Sequence, residues 1–253
     1  MPRYALLLEY DGGPFVGWQR QAQGLSVQQA LEEAAAALNE GVPPTSMAAG
    51  RTDAGVHAAG QVAEITLAKD LPPERVRDAL NFYSRPHPLA VLKVARAPEG
   101  WSARFAATGR AYRYRILNRR SRPALEAGRV WHIHGTLDAA AMQAAAQLLL
   151  GQHDFSAFRA AACQATSPLR TLDRLEVRRE GEEVTVIAEA RSFLHHQVRN
   201  LVGTLAEVGV GKRDTAWPRA VLDGRDRTRA GQTAPAAGLC FMAVRYGVPL
   251  EWV

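Results

Sequence analysis

The stretch Ala49-Gly50-Arg51-Thr52-Asp53-Ala54-Gly55-Val56-His57-Ala58 sets Arg-Thr-Asp between two glycines, inside an otherwise apolar run leading into a strand. Glycine tolerates positive φ and close backbone approach, so such a loop can push a side chain into a cleft. A tight turn in which Asp53 bonds its own backbone accounts for the same residues. A second polar residue has an unusual address. Arg199 falls in the first turn of a helix expected from His196 to Val208, where the macrodipole disfavours a cation, and beside the apolar stripe of Val198 and Val202. An arginine so placed calls for a carboxylate or a phosphate; Asp53 is one candidate partner and an unspecified surface acid is another. The third cluster is cationic and aromatic. No acid occurs between Gly100 and Leu125, yet Arg104, Arg110, Arg113, Arg115, Arg119, Arg120 and Arg122 all fall there, with Phe105, Tyr112 and Tyr114 among them. That mixture suits a flexible polyanion with stackable bases, and equally a solvated basic strand.

Other chemistries find little support. His132 and His134 share a strand face and His195-His196 are adjacent, but no Cys or His pair has zinc-finger or metalloprotease spacing, so no metal is expected. The chain has no phosphate-cradling Walker loop, no dinucleotide glycine fingerprint and no Gly-x-Ser-x-Gly elbow, which leaves nucleotide-driven and serine-hydrolase chemistry without a basis.

Two sets of elements must position these residues. Strands are expected over Tyr4–Tyr10, Gln61–Leu67 and Leu89–Ala95, with a helix from Ser26 to Gly41 and another from the Pro72-Pro73 pair to Tyr83. Ser26 with Gln29 reads as a capping box and Gly41 as the stop. Residues 42–60 carry no assignment. In the second half a strand over Ala111–Asn118 places Tyr112, Tyr114 and Ile116 on one face and Arg113 and Arg115 on the other. Asp138 caps a helix expected to end at Gly151, and Leu172–Arg179 and Val184–Arg191 flank a hairpin turn at Glu180-Gly181-Glu182. A short helix over Ala216–Leu222 and a strand over Leu239–Tyr246 follow the helix that carries Arg199. The best boundary lies at Ala107–Arg110, giving two α+β halves, 1–108 and 109–253, in which helices cover one face of a largely antiparallel sheet. If the halves join edge to edge, the other face forms an open cleft.

The 253 residues are 47% hydrophobic and 22% charged, which excludes a disordered chain and suits one large or two small domains. Lys+Arg of 31 against Asp+Glu of 25 gives +6, and all the basic residues but Lys69, Lys93 and Lys212 are arginine. Arginine favours planar contacts to phosphate, although a GC-rich coding sequence prefers it too. No apolar run approaches the ~18 residues a membrane span needs. Glu9 and Asp11 come too early for a secretory signal, so Cys163 and Cys240 are expected as free thiols in a reducing cytoplasm.

The motif Gly50-Arg51-Thr52-Asp53-Ala54-Gly55-Val56-His57-Ala58 resembles the signature of the tRNA pseudouridine synthase A family. Three further stretches agree, in order: Glu9-Tyr10-Asp11-Gly12 with Gly17-Trp18-Gln19-Arg20-Gln21; Ala103-Arg104-Phe105 with Ala111-Tyr112-Arg113-Tyr114; and Phe193-Leu194-His195-His196-Gln197-Val198-Arg199-Asn200 with Gly238-Leu239. The resemblance spans almost the whole chain without departure at a motif position; divergence is expected in the loops Arg159–Arg170 and Asp223–Gly238. It implies two ferredoxin-like (RRM-like) halves joined into one mixed, largely antiparallel sheet, helices on one face and an RNA-binding cleft on the other. It also implies a cytoplasmic homodimer that binds tRNA and, without cofactor, converts uridine to pseudouridine at positions 38, 39 and 40 of the anticodon stem-loop. On that reading Asp53 is the catalytic aspartate, attacking ribose C1′ or base C6, and Arg199 pairs with it and keeps it ionised. Tyr112 stacks on the flipped base, Leu239 packs on the base's other side, and Arg51 contacts phosphate or helps flip the nucleotide. Flipping costs a few kcal/mol, which the arginine-rich segment offsets through phosphate contacts. A non-catalytic RNA-binding module of similar fold and a base-releasing glycosidase are the alternatives.

Overall fold

The computed structural model describes all 253 residues. In chain order the first elements are β1 (Arg3–Tyr10), α1 (Val27–Ala36), β2 (Ser46–Ala48), β3 (His57–Thr66), α2 (Pro73–Tyr83), β4 (Leu89–Arg96) and β5 (Ala107–Asn118). They are followed by β6 (Trp131–Ile133), α3 (Ala139–Gln147), β7 (Gly151–Asp154), β8 (Leu169–Glu180) and β9 (Glu183–Ala190). The last are α4 (Gln197–Gly209), α5 (Trp217–Gly224) and β10 (Leu239–Tyr246). Met1–Thr108 pack together with Phe241–Val253 as one compact unit, and Gly109–Cys240 form a second. The fold is α+β throughout, with mixed, largely antiparallel pairing, as expected.

In the first unit the strands run β4-β1-β3-β10, with β2 on β3. β1 is antiparallel to both β3 and β4, with a register shift on the β3 side between Leu8 and Tyr10. Such a bulge re-aims the side chains that follow it, and here Tyr10, which lies beyond it, pairs with Ala58 as the last residue of the strand. Tyr4, Leu6 and Leu8 are wholly buried, and the Tyr4 hydroxyl donates to Leu71 O (2.8 Å) at the entry to α2. The alternate face of β1 is also covered: Ala5, Val62 and Ala95 pack with Trp101 and Ala103, and Leu7, Tyr246, Leu250 and Trp252 close over them.

α1 and α3 begin where the sequence indicates and stop sooner, whereas α2 ends at Tyr83 as expected and α4 and α5 run slightly past Val208 and Leu222. Ser26 Oγ accepts the Gln29 amide, but the Gln29 side chain bonds Glu33 instead of returning to the cap, so only half of a capping box forms. The last regular residue of α1 is Ala36, and turns carry the chain to Gly41, at φ +82°. Asp138 caps α3 through the Ala141 amide; α3 ends at Gln147, and Gly151 opens β7.

In the second unit the order is β5-β9-β8-β7, antiparallel throughout, with β6 added parallel to β5. Tyr114 and Ile116 are fully buried while Arg113 and Arg115 are only partly so, as expected; Tyr112, expected on the same face as Tyr114, is itself only partly buried, and Leu117 is buried beside Ile116. α4 buries nearly every side chain from Gln197 to Val208. Cys163 and Cys240 are free thiols. No helix is long and apolar enough to cross a membrane.

Candidate active site

Asp53 is half-buried on the loop between β2 and β3. The loop is tethered by the segment that follows β1. Trp18 N–H donates to Thr52 O (3.0 Å) and Gly55 N–H to Phe15 O (3.4 Å). Two glycines allow this approach. A Cβ on Gly12 would lie 2.1 Å from Val56 O, and one on Gly17, at φ +103°, would lie 2.8 Å from Thr52 O. The buried Tyr10 and Thr52 hydroxyls meet at 2.8 Å. Within the loop Val56 N–H donates to Asp53 O, and Gly55 takes φ +77°. The chain therefore turns tightly at Asp53 through its main-chain carbonyl, while the loop as a whole is clamped from outside. His57 Nδ1 lies 3.1 Å from both the Gly12 amide and Asp11 Oδ1. It can accept from the first or donate to the second, and not both at once. Arg51 is exposed on the same loop as Asp53.

The remaining predicted residues belong to the second unit. Tyr112, on β5, stands edge-on to Phe193 with ring centroids 5.2 Å apart. Arg199 sits in the first turn of α4, after His196, whose backbone is left-handed at φ +62°. Its Nε donates to Ala234 O (2.8 Å), and Ala234 N–H donates back to Arg199 O (3.1 Å). Part of the acceptor demand of this buried-side arginine is thus met by a carbonyl, a partner that the sequence did not suggest. Leu239 is buried at the start of β10. The segment before it is fixed by Tyr114, whose hydroxyl donates to Pro235 O (2.7 Å) and whose ring leaves Gly238 no room for a Cβ (2.6 Å). Burial pushes the Tyr114 phenol far above its ordinary pKa, against a smaller opposing pull from Arg199, so it stays a donor.

The arginine-rich stretch is less uncompensated in space than in sequence. Arg115 grips Glu183 through two nitrogens (3.0 and 2.7 Å) and reaches Glu126 (2.6 Å). Arg119 pairs with Glu182 at 3.0 Å. These acids lie outside the acid-free window, so Arg115 and Arg119 serve the fold. Arg120 and Arg122 are exposed, and the Arg104 guanidinium lies 5.5 Å over the ring of Phe105, which is 74% exposed.

A carboxylate on a tethered loop, an arginine braced on a helix, and an arginine over an exposed aromatic ring suit an enzyme that works on nucleic acid. Comparison with known proteins makes the class specific. A family described as tRNA pseudouridine synthase matches residues 7–106 and 145–247. A tRNA pseudouridine synthase A from Acidiphilium cryptum is 61% identical over 249 residues, covering 98% of each chain. Those from Paramagnetospirillum magneticum and Methylobacterium nodulans are 58% and 59% identical, each covering 97% of this chain and 96% of the relative. The chain belongs to the tRNA pseudouridine synthase family, isomerases of uridine in tRNA.

Several residues that brace the site escaped the sequence reading. Phe193 and Asn200 stand inside quoted motifs but had no assigned task. Tyr10 and Thr52 are likewise motif residues whose pairing only the fold reveals. Arg227 and Thr233, described below, carry no local signal at all.

Proposed function

We propose that this protein converts uridine to pseudouridine at positions 38, 39 and 40 of the tRNA anticodon stem-loop, with Asp53 as nucleophile. The observation that carries the reading is the Gly50–Ala58 loop, complete in sequence and clamped through backbone contacts that hold one carboxylate. A carboxylate attacking ribose C1′ breaks the bond to uracil N1; the base turns, C5 bonds C1′ as the carboxylate departs, and the C5 proton is lost while N1 is protonated. Attack at base C6 gives the same product. Either route is an isomerisation in which nothing is added overall, so no cofactor is required. Tyr112 stacks on the flipped base, Leu239 packs against it, Arg199 is the cationic group serving the carboxylate, and Arg51 serves the phosphate or the flipping step. Arg104, Arg120 and Arg122 are suited to backbone phosphates, which makes binding salt-dependent. The protein acts as a homodimer in the cytoplasm.

The test is an unmodified tRNA transcript incubated with purified protein, without metal or nucleotide, and mapped by carbodiimide labelling and primer extension. Stops at the three anticodon-stem positions are expected. Tight binding without stops would replace this reading with a non-catalytic RNA-binding module, and free uracil would indicate a glycosidase.

A further inference from the structure

Within the segment from Arg227 to Leu239, residues Gly231–Ala234 lie along α4, running back towards its N-terminus. Two glycines let the backbones touch. A Cβ on Gly203 would lie 1.7 Å from Gln232 O, and one on Gly231 would lie 2.7 Å from Gly203 O. Gly231 N–H donates to the buried Thr204 hydroxyl (3.0 Å), which itself donates to Asn200 O (2.7 Å).

The polar centre of this strap is Asn200, fully buried on α4. Its Nδ2 donates to Phe158 O (2.8 Å), and its Oδ1 accepts from Thr233 Oγ1 (2.7 Å) and Arg227 Nη2 (3.1 Å). Arg227 Nη2 also donates to Thr233 Oγ1 (3.0 Å) and Nη1 to Gly231 O (2.9 Å). These acceptors are neutral oxygens; no carboxylate is among them. Burial lowers the pKa of this guanidinium, so the fold holds its charge at a cost. What the cation gains is a planar fork bridging the strap and the helix. Its two side-chain partners are sequence neighbours of the Arg199–Ala234 couple: Asn200 follows Arg199, and Thr233 precedes Ala234.

We propose that Arg227 is a positioning residue of the isomerase. It locks the strap onto α4 so that the Ala234 carbonyl holds the Arg199 guanidinium and the Tyr114-bonded end of the strap holds Leu239. The inference rests on the reading of Arg199 and Leu239 as substrate-site residues.

Arg227→Gln in the full-length protein keeps a polar side chain but loses the fork. With tRNA transcript as substrate, kcat falls about ten- to hundredfold while KM changes less than about threefold, since the reacting geometry is displaced and the RNA-holding surface is not. A merely structural role would lower the melting temperature and leave kcat unchanged in assays run well below it. An unchanged kcat, or a loss confined to KM, therefore overturns the proposal. Thr233→Val removes one hydroxyl from the same network, leaves the cation in place, and covers the case in which Arg227→Gln does not fold; the same split is expected, with a smaller loss of kcat. Asp53→Asn measured alongside separates the two levels. Turnover retained by Asp53→Asn refutes the site reading, whereas an inactive Asp53→Asn beside Arg227→Gln and Thr233→Val at wild-type kcat refutes the latch alone.

Discussion

The loop that carries Asp53 and the helix that carries Arg199 are braced by different means. The Asp53 loop is held backbone to backbone: Gly12 and Gly17 admit the peptide groups of Val56 and Thr52, and Trp18 and Gly55 supply the amide bonds. The start of α4 has close backbone contacts too, at Gly203, Gly231 and Ala234, but adds to them a side-chain network in which Asn200, Thr204, Thr233 and Arg227 stitch a strap across it. Packed peptide groups cannot yield by a rotamer change, so the first brace should fail abruptly. A network of side-chain bonds loses one member at a time, so the side-chain part of the second should weaken by degrees.

Gly12→Ala is the severest test of the first brace. The new methyl meets the Val56 carbonyl at 2.1 Å, so one of the two segments must move. A stability loss of about 3 kcal/mol and a loss of activity of more than about a hundredfold are expected, read by denaturant unfolding and by single-turnover assay. Wild-type turnover from this variant would show that the clamp does not set the loop. Tyr114→Phe tests the second brace. It deletes only the hydrogen bond to Pro235 O, at about 1 kcal/mol, with kcat lowered by no more than about tenfold. A loss matching that of Gly12→Ala would break the contrast.

Glu183→Gln is the mildest and serves as a control outside both braces. Arg115 donates two hydrogen bonds to Glu183 and holds its carboxyl below the ordinary range. A carboxyl lowered by folding contributes stability at pH values above its unfolded pKa, and that contribution fades as pH falls through its folded value. The variant should therefore lose on the order of 1 kcal/mol at neutral pH, discounted for a pair that is partly exposed, and match wild type in strong acid. Its kcat should not change. A loss of kcat would place the β5 arginine pairs within the working site.

The same contrast explains what could be read from the sequence. A backbone clamp needs glycines at fixed places, so it writes itself as contiguous motifs, and Gly50–Ala58 with Glu9–Gln21 stood out. Ser26 and Asp138 declared their helices through capping chemistry that acts over three residues. A side-chain network needs only compatible partners wherever the chain returns, so Arg227, 27 residues from Asn200, left no mark. β2, β6 and β7 have three or four residues each, too few to display an alternation. The packing of Phe241–Val253 with Met1–Thr108 is equally non-local. The acid-free window from Gly100 to Leu125 was a feature of the sequence alone; pairing of β5 with β9 brings Glu183 to Arg115 across the strands.

On the proposed reading, Asp53 performs the reaction and does not merely shape an RNA-binding surface. Asp53→Asn keeps the side chain's size and removes its nucleophilic charge. Its tRNA affinity and its single-turnover rate should be measured together with those of wild type. Affinity within about threefold of wild type and no detectable pseudouridine are expected, because the step lost is chemical and not binding. Pseudouridine formed at the wild-type rate would contradict that reading and remove Asp53 as the nucleophile.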